Sequence, residues 1–267
     1  MGSKIFDCVT FFNENFILNA RFEILSHVVD YFVVCESIYD HRGQKKKLNF
    51  HLLNQKYKSK IIYIVLEDKF ESDDLWINQA QQREYIFNGL KLANKNDYVM
   101  FSDPDEIPNP KKLENFNLKR KYGIFLQDCF CYKINIFNKY ESPWEGTRIC
   151  KKENLTSINY MRQKVVSKNL KYNFFRFDKE KNIQLIENGG WHFNNLMSPQ
   201  NISLKLKTFA HSEYANDMYS SVKVIEEKIK KKTDLFNRGH IYEVRKINHE
   251  YPKYILDNLK TFKDFID

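Results

Sequence analysis

Four runs of almost unbroken apolar residues punctuate the first part of the chain: "KIFDCVTFF" (4–12), "DYFVVCES" (30–37), "KIIYIVLED" (60–68) and "DYVMFSD" (97–103). A strand with one wet face alternates apolar and polar side chains. A run apolar at successive positions has to be covered on both faces, which is the habit of parallel sheets. Between the first two runs lies "NENFILNARFEILSHV", whose apolar residues recur at helical spacing, with Asn13 as its expected cap. Between the last two lies "WINQAQQREYIFNGLKLA" (76–93), with Ile77, Ala80, Ile86, Leu90 and Ala93 on one side. Strand, helix, strand, strand, helix, strand predicts a Rossmann-like α/β fold, its mostly parallel central sheet flanked by helices.

After residue 110 the pattern changes. "YGIFLQDCFCYKINIF" (122–137), "TRICKK" (147–152) and "NIQLIENGGWHF" (182–193) read as strands of a more antiparallel half, followed by helices over about 200–232 and 251–266. No repeat or low-complexity linker interrupts the chain, so one domain over 1–267 is expected, with halves of about 4–110 and 111–267.

Composition narrows the class. Of 267 residues, 42% are hydrophobic and 15% aromatic, which fits a folded protein. The net charge of +9 favours anionic partners such as nucleotides, nucleic acid or phospholipid headgroups, although a merely solubilising lysine excess gives the same number. Cysteines at 8, 35, 129, 131 and 150 are odd in number and scattered, and "CFC" lacks zinc-knuckle spacing. Reduced thiols are expected, and with them a cytosolic compartment. No apolar run approaches the roughly 18 residues of a membrane span and no signal peptide precedes the first strand, so the expectation is a cytoplasmic protein, with peripheral attachment to the inner membrane face left open.

In open α/β sheets ligands bind beyond the carboxyl ends of strands. The fourth run ends in "SDPDEIPNP", which crowds Asp103, Asp105 and Glu106. Like charges so close repel, and an Asp-x-Asp pair can hold one hard divalent cation with positions left for phosphate oxygens. An acidic turn punctuated by Pro104 and Pro108 is the plain alternative. Glu36 and Ser37 end the second run, and Asn13 and Glu14 follow the first. "GGWHF" (189–193) adds His192, an imidazole suited to the same metal, beside Trp191. "SPWEGTR" (142–148) offers Trp144, Glu145 and Arg148: an aromatic platform, a carboxylate and a cation of the kind that holds sugars. Arg83 stands on the second helix, where it could reach phosphate. No Gly-rich phosphate loop, nucleophile elbow or nucleic-acid motif is present.

Taken together, "FFNE…RFEIL…VDYFVVCES", the Arg83 helix, "SDPDEIP", "GGWHF" and "YPKYILDNLKTFKDFI" resemble glycosyltransferase family 17, in order, from Ile5 to about Ile266. The resemblance implies a GT-A type fold, a UDP-sugar donor (UDP-GlcNAc in animal members), Mn²⁺ or Mg²⁺ as cofactor, and inversion at the anomeric carbon. It puts the metal on Asp103, Asp105 and His192. It puts the nucleotide sugar against Phe12, Asn13, Glu36, Ser37, Arg83, Asp103 and Trp191. Animal members carry a membrane anchor and stem that this sequence does not show, so the expected acceptor is a bacterial or viral surface polysaccharide or glycoconjugate, free or lipid-linked, rather than an N-glycan. Trp144 and Arg148 are expected to contact it.

Inversion requires a carboxylate base at the attacking hydroxyl. Glu145 is the first choice, with Asp128, Glu106 and Glu187 behind it. Two rivals stand beside the transferase: a sugar-nucleotide nucleotidyltransferase, disfavoured because "VTFFNENF" has no Gly-rich loop, and a non-catalytic carbohydrate- or nucleic-acid-binding module, which has little need of a metal clamp. No specific nucleic-acid partner is expected.

Overall fold

The computed structural model describes residues 2–208 and 212–267. The four apolar runs become β1 (Ile5–Phe11), β2 (Tyr31–Ser37), β3 (Ile61–Leu66) and β4 (Tyr98–Ser102), all parallel, in the spatial order β3-β2-β1-β4. Helix α1 (Asn15–Leu25) joins β1 to β2, and α2 (Leu75–Tyr85) precedes β4. Asn13 does not cap α1. Glu14 stands at the cap position and turns its carboxylate back to accept from the Phe12 and Asn13 amides at 3.1 and 2.9 Å. Asp74 caps α2 through the Trp76 amide. That helix is shorter than expected: it tightens into a 3₁₀ turn over Ile86–Gly89, where a side chain on Gly89 would collide with Val33.

Beyond β4 the chain makes a short strand β5 (Glu106–Pro108), a long strand β6 (Tyr122–Cys131), β7 (Ile136–Phe137) and β8 (Trp144–Lys151). Strand β8 runs antiparallel between β4 and β6, so one sheet continues from the parallel half into the other. Helix α3 (Ile158–Lys164) follows, then β9 (Ile183–Ile186) and β10 (Gly190–Asn194), with β10 wedged between β5 and β6. This is the expected GT-A type α/β layout. The expected strand 122–137 is broken after Cys131, where Tyr132 takes a φ of +68°.

The C-terminal helices are shorter than their periodicity implied. They are α4 (Pro199–Thr208), α5 (Asp217–Ser220), α6 (Val222–Lys231) and α7 (Lys253–Asp257), with a small strand β11 (Glu243–Val244) on β7. Part of the 200–232 expectation, residues 209–211, lies outside the described residues. Asn216 and Ser221 each cap a new helix with a side-chain oxygen and so divide the stretch. The lysine-rich face of α6 is exposed and Ile225 is buried, as its sequence pattern predicts.

Two apolar clusters cover the two sides of the sheet, one under α1 and α7, the other against α2 and α3. One charged pair is buried among them. Arg21 of α1 is fully buried and grips Asp7 of β1 with two bonds of 2.6 Å. Its remaining donors reach Ser102 Oγ at 2.9 Å and the Glu106 carbonyl at 2.5 Å. A guanidinium anchored on β1 that bonds the last residue of β4 and the first of β5 fixes where β4 stops and where the acidic turn lies. All five cysteines are buried free thiols, with Cys129 and Cys131 on one side of β6 as alternation requires.

Candidate active site

The acidic turn is closed by its own backbone. The Glu106 amide donates to the Asp103 carbonyl at 3.0 Å, and the Asp103 amide to Glu106 Oε2 at 3.1 Å. From there β5 pairs antiparallel with β10, setting His192 opposite Glu106, and the Phe193 amide donates to the Asp105 carbonyl at 2.8 Å. Alternation along β10 turns His192 to one face and Trp191 to the apolar cluster under α1.

A cavity of about 890 Å³ opens at this end of the sheet. Asp103, Asp105, His192, Arg83, Trp144, Glu145, Arg148 and Phe12 all line it. Residues more than a hundred positions apart in sequence are thus brought to one wall.

The repulsion among the acids is relieved from within the chain. Arg162 of α3 bonds Asp103 Oδ2 at 2.6 Å and Glu106 at 2.7 and 3.1 Å. Burial pushes the Asp103 carboxyl up, but Arg162, then Arg83 and His192, pull it down harder, to about 2. Burial likewise opposes charge on Arg162, and its two carboxylate neighbours overcome that and raise its pKa. Asp105 faces Lys205 of α4 at 3.6 Å on one oxygen and His192 Nε2 at 3.6 Å on the other. Burial lowers the affinity of Lys205 for its proton, and Asp105 and Glu14 restore and exceed it. For Glu14, burial outweighs Lys205 and raises the carboxyl pKa.

Beside these acids, the Trp144 ring packs against His192 with centroids 4.8 Å apart and donates Nε1–H to Glu106 Oε1 at 2.7 Å. Glu145 accepts from the Ser167 amide at 3.1–3.2 Å and from its hydroxyl. Arg148 folds back on the Glu145 and Gly146 carbonyls, and burial, then neighbouring Arg162, lowers its pKa to about 10. Arg83 donates Nη1–H to Asn159 at 3.0 Å, while its buried Nε has no hydrogen-bond partner.

Several expected site residues stand elsewhere. Glu36 is fully buried and organises the 44–50 segment: it pairs with Lys46 at 2.6 Å and accepts from the Asn49 and Phe50 amides and the Tyr63 hydroxyl. Ser37 accepts from the Tyr39 amide. Neither lines the cavity; Tyr39, Asp40 and His41, just past them, do. Asn13 and Trp191 are also off the wall. Glu106 is fully buried, with both oxygens engaged by Arg162, which leaves no room for a base. Asp128 is half exposed and faces Arg245 at 3.4 Å, and Glu187 borders a separate shallow groove.

Sequence reasoning missed Arg162 and Lys205. Their signal was indirect: a cluster of acids demands a cation, but 43 lysines and arginines compete for the role.

Whether the donors suit a divalent cation depends on how many the protein must supply. Among the described residues no group of three His, Cys, Asp or Glu is arranged to hold a metal alone. Asp105 and His192 offer an oxygen and a nitrogen 3.6 Å apart, with Asp103 in the same turn. That donor set fits a cation that completes its shell with substrate phosphate, as Mg²⁺ commonly does.

Fold and cavity together define an α/β domain of GT-A type with a charged cleft at the carboxyl ends of its parallel strands. The model of glycosyltransferase family 17 matches residues 1–263, and the chain belongs to that family. It is 30% identical over 117 residues to the β-1,4-mannosyl-glycoprotein 4-β-N-acetylglucosaminyltransferases of Rattus norvegicus and Homo sapiens. The match covers 39% of this chain and spans 22% of the length of those curated relatives. Among solved structures, a Mycobacterium tuberculosis glucosyl-3-phosphoglycerate synthase in complex with Mg²⁺ and UDP aligns over 96% of this chain and 92% of its own, at 10% identity and a TM-score of 0.38. A putative glucose-1-phosphate thymidylyltransferase from Bacillus anthracis, in complex with sucrose, aligns over 71% and 88%, at 10% identity and 0.35. At these scores neither likeness transfers a ligand.

Proposed function

We propose that the chain moves a sugar, GlcNAc, from UDP to a hydroxyl of a glycan acceptor, with inversion. The observation that carries this reading is the convergence of Arg83, Arg148, Arg162 and Lys205 around Asp103 and Asp105 on one cavity wall. The wall carries seven lysines and arginines against six carboxylates, so a diphosphate enters without meeting net repulsion. Arg83 lines the same wall, and its buried Nε–H has no hydrogen-bond partner within the chain. Family membership and the partial likeness to GlcNAc transferases support the choice of sugar.

Asp105 and His192, with Asp103, would hold Mn²⁺ or Mg²⁺, which neutralises charge on the departing diphosphate. Arg162 keeps Asp103 ionised and aimed at the cavity. Trp144 gives an apolar platform for a sugar ring. Glu145 is the base in this reading: it lines the cavity, whereas Glu106 and Asp128 do not. Ser167 and Arg148 hold its carboxylate in place. The acceptor is a surface polysaccharide or glycoconjugate.

Calorimetry with UDP and Mn²⁺ tests the donor site. Binding that needs the metal and vanishes in Asp105→Ala supports it; equal binding in the variant refutes it. A screen of UDP-sugars, following UDP release, reads the donor. Glu145→Gln should keep UDP affinity and lose transfer; retained turnover removes Glu145 as base.

A further inference from the structure

The loop between α3 and β9 carries "YNFFRFD" (172–178). Phe174, Phe175 and Phe177 are 78%, 76% and 80% exposed, the highest values among the large apolar side chains of the described residues. Isolated exposed apolar residues need no explanation, but three aromatics on one tip form a patch that water disfavours. Phe174 meets Phe175 and Phe177 edge-on, each at 6.1 Å, so the three rings form one cluster.

The tip is built rather than loose. Lys181 Nζ donates to the Asn173 and Phe174 carbonyls at 2.6 and 3.2 Å. Asn173 Oδ1 accepts from the Phe175 amide at 3.1 Å, and Arg176 forks onto Asp178 at 2.7 and 2.8 Å. Tyr172 lies beneath Arg176 and Lys179, at 5.3 and 5.7 Å from its ring centre. Asn173, Arg176, Asp178 and Lys181 thus hold the tip that presents the rings.

Charge identifies what they face. Lys168, Lys171, Arg176, Lys179 and Lys181 flank the rings along the chain, against Asp178 and Glu180 alone between 168 and 181. Asp178 is occupied by Arg176 and Lys179, and Glu180 faces Lys121 at 3.5 Å. Bulky apolar groups ringed by cations match the boundary of an anionic bilayer, where rings enter the acyl region and ammonium groups meet headgroups. A second copy of the chain would bring this positive rim against itself.

We propose that residues 170–181 dock the protein onto an anionic phospholipid surface. The same loop begins on the cavity wall: Val166 and Lys168 line the cavity and Ser167 holds Glu145. Docking there brings the cavity rim to the headgroups. If the transferase reading above holds, the acceptor is then a glycan on a lipid carrier.

Co-sedimentation of the full chain tests this, using vesicles of phosphatidylcholine alone and of phosphatidylcholine mixed with an equal amount of phosphatidylglycerol. The expected result is binding to the mixed vesicles only, weakened by salt, and reduced about 10-fold or more when Phe174, Phe175 and Phe177 are all changed to Ser. Circular dichroism and UDP binding of that variant should match the parent. No binding to anionic vesicles, or equal binding by the triple variant, overturns the proposal. So does self-association without lipid that the triple variant abolishes, which assigns the patch to a second copy. Phe175→Trp gives an independent reading: its added emission should shift to the blue with anionic vesicles, and an unchanged spectrum refutes docking. A chain that binds UDP but ignores vesicles loses this proposal and keeps the donor site; one that binds vesicles but not UDP does the reverse.

Discussion

The guanidinium of Arg162 lies 2.6 Å from the Asp103 carboxylate and carries the acidic turn's charge in place of solvent. It also bonds Glu106, which is wholly buried. Removing one partner of a buried pair leaves the other charged and undersolvated. Arg162→Ala should therefore lower stability by about 3–5 kcal/mol in chemical denaturation. Adding Glu106→Gln to it should recover part of that loss, because the stranded charge is gone.

Acid should act on the same pair. Asp103 has a folded pKa of about 2, below its ordinary 3.8, so its contribution to stability is complete above the ordinary value and is lost as pH falls toward 2. Denaturation midpoints measured down that window should drop more steeply for the parent than for Asp103→Asn. Coincident profiles would show that Arg162 does not hold Asp103 ionised.

The fold was legible because its strongest signals are local. The runs at β1, β2, β3 and β4 are apolar on both faces, and that pattern leaves little but a covered parallel sheet. Helix ends were less legible: Gly89 and the caps Asn216 and Ser221 cut helices whose periodicity continues through them. At the site, Asp103, Asp105 and His192 were visible as a turn and a strand end. Arg162 and Lys205 were not, since ion pairs between distant elements leave no local pattern. Glu36 misled for the same reason: a carboxylate at a strand's carboxyl end can serve a ligand or, as here, a neighbouring loop.

Gly190 is where backbone geometry guards the site. Its φ is +126°, and a Cβ there would lie 2.2 Å from the Ile107 carbonyl oxygen and 2.6 Å from the Asn109 amide. Neither backbone atom can move without parting β10 from β5, the pairing that sets His192 beside Asp105. Gly190→Ala should cost far more than the roughly 1–2 kcal/mol of left-handed strain alone. Gly239→Ala, at φ +80° with open space around it, should show only that strain. Thermal melts of the two variants make the comparison.

The thiols should be inert in the native state. Burial, reinforced by Glu36, raises Cys35 to about 12, and burial raises Cys150 to about 12 against the pull of Lys121 and Lys152. Since the thiolate is the reactive form, a thiol reagent at neutral pH should label the folded protein slowly and all five cysteines promptly in denaturant. Fast labelling under native conditions would contradict the packing of β1, β2 and β8.

Trp144 joins the platform to the acidic turn, and two substitutions separate those tasks. Trp144→Phe keeps a ring against His192 but deletes the 2.7 Å bond to Glu106 Oε1. Arg162 still satisfies that oxygen, so the stability cost should be about 0.5–1.5 kcal/mol, that of an ordinary hydrogen bond. Trp144→Ala removes the platform as well. If the ring carries a sugar, the Ala variant should show a much higher KM for the acceptor than the Phe variant, with UDP affinity in calorimetry close to the parent in both. Equal KM values in the two variants would confine Trp144 to holding Glu106.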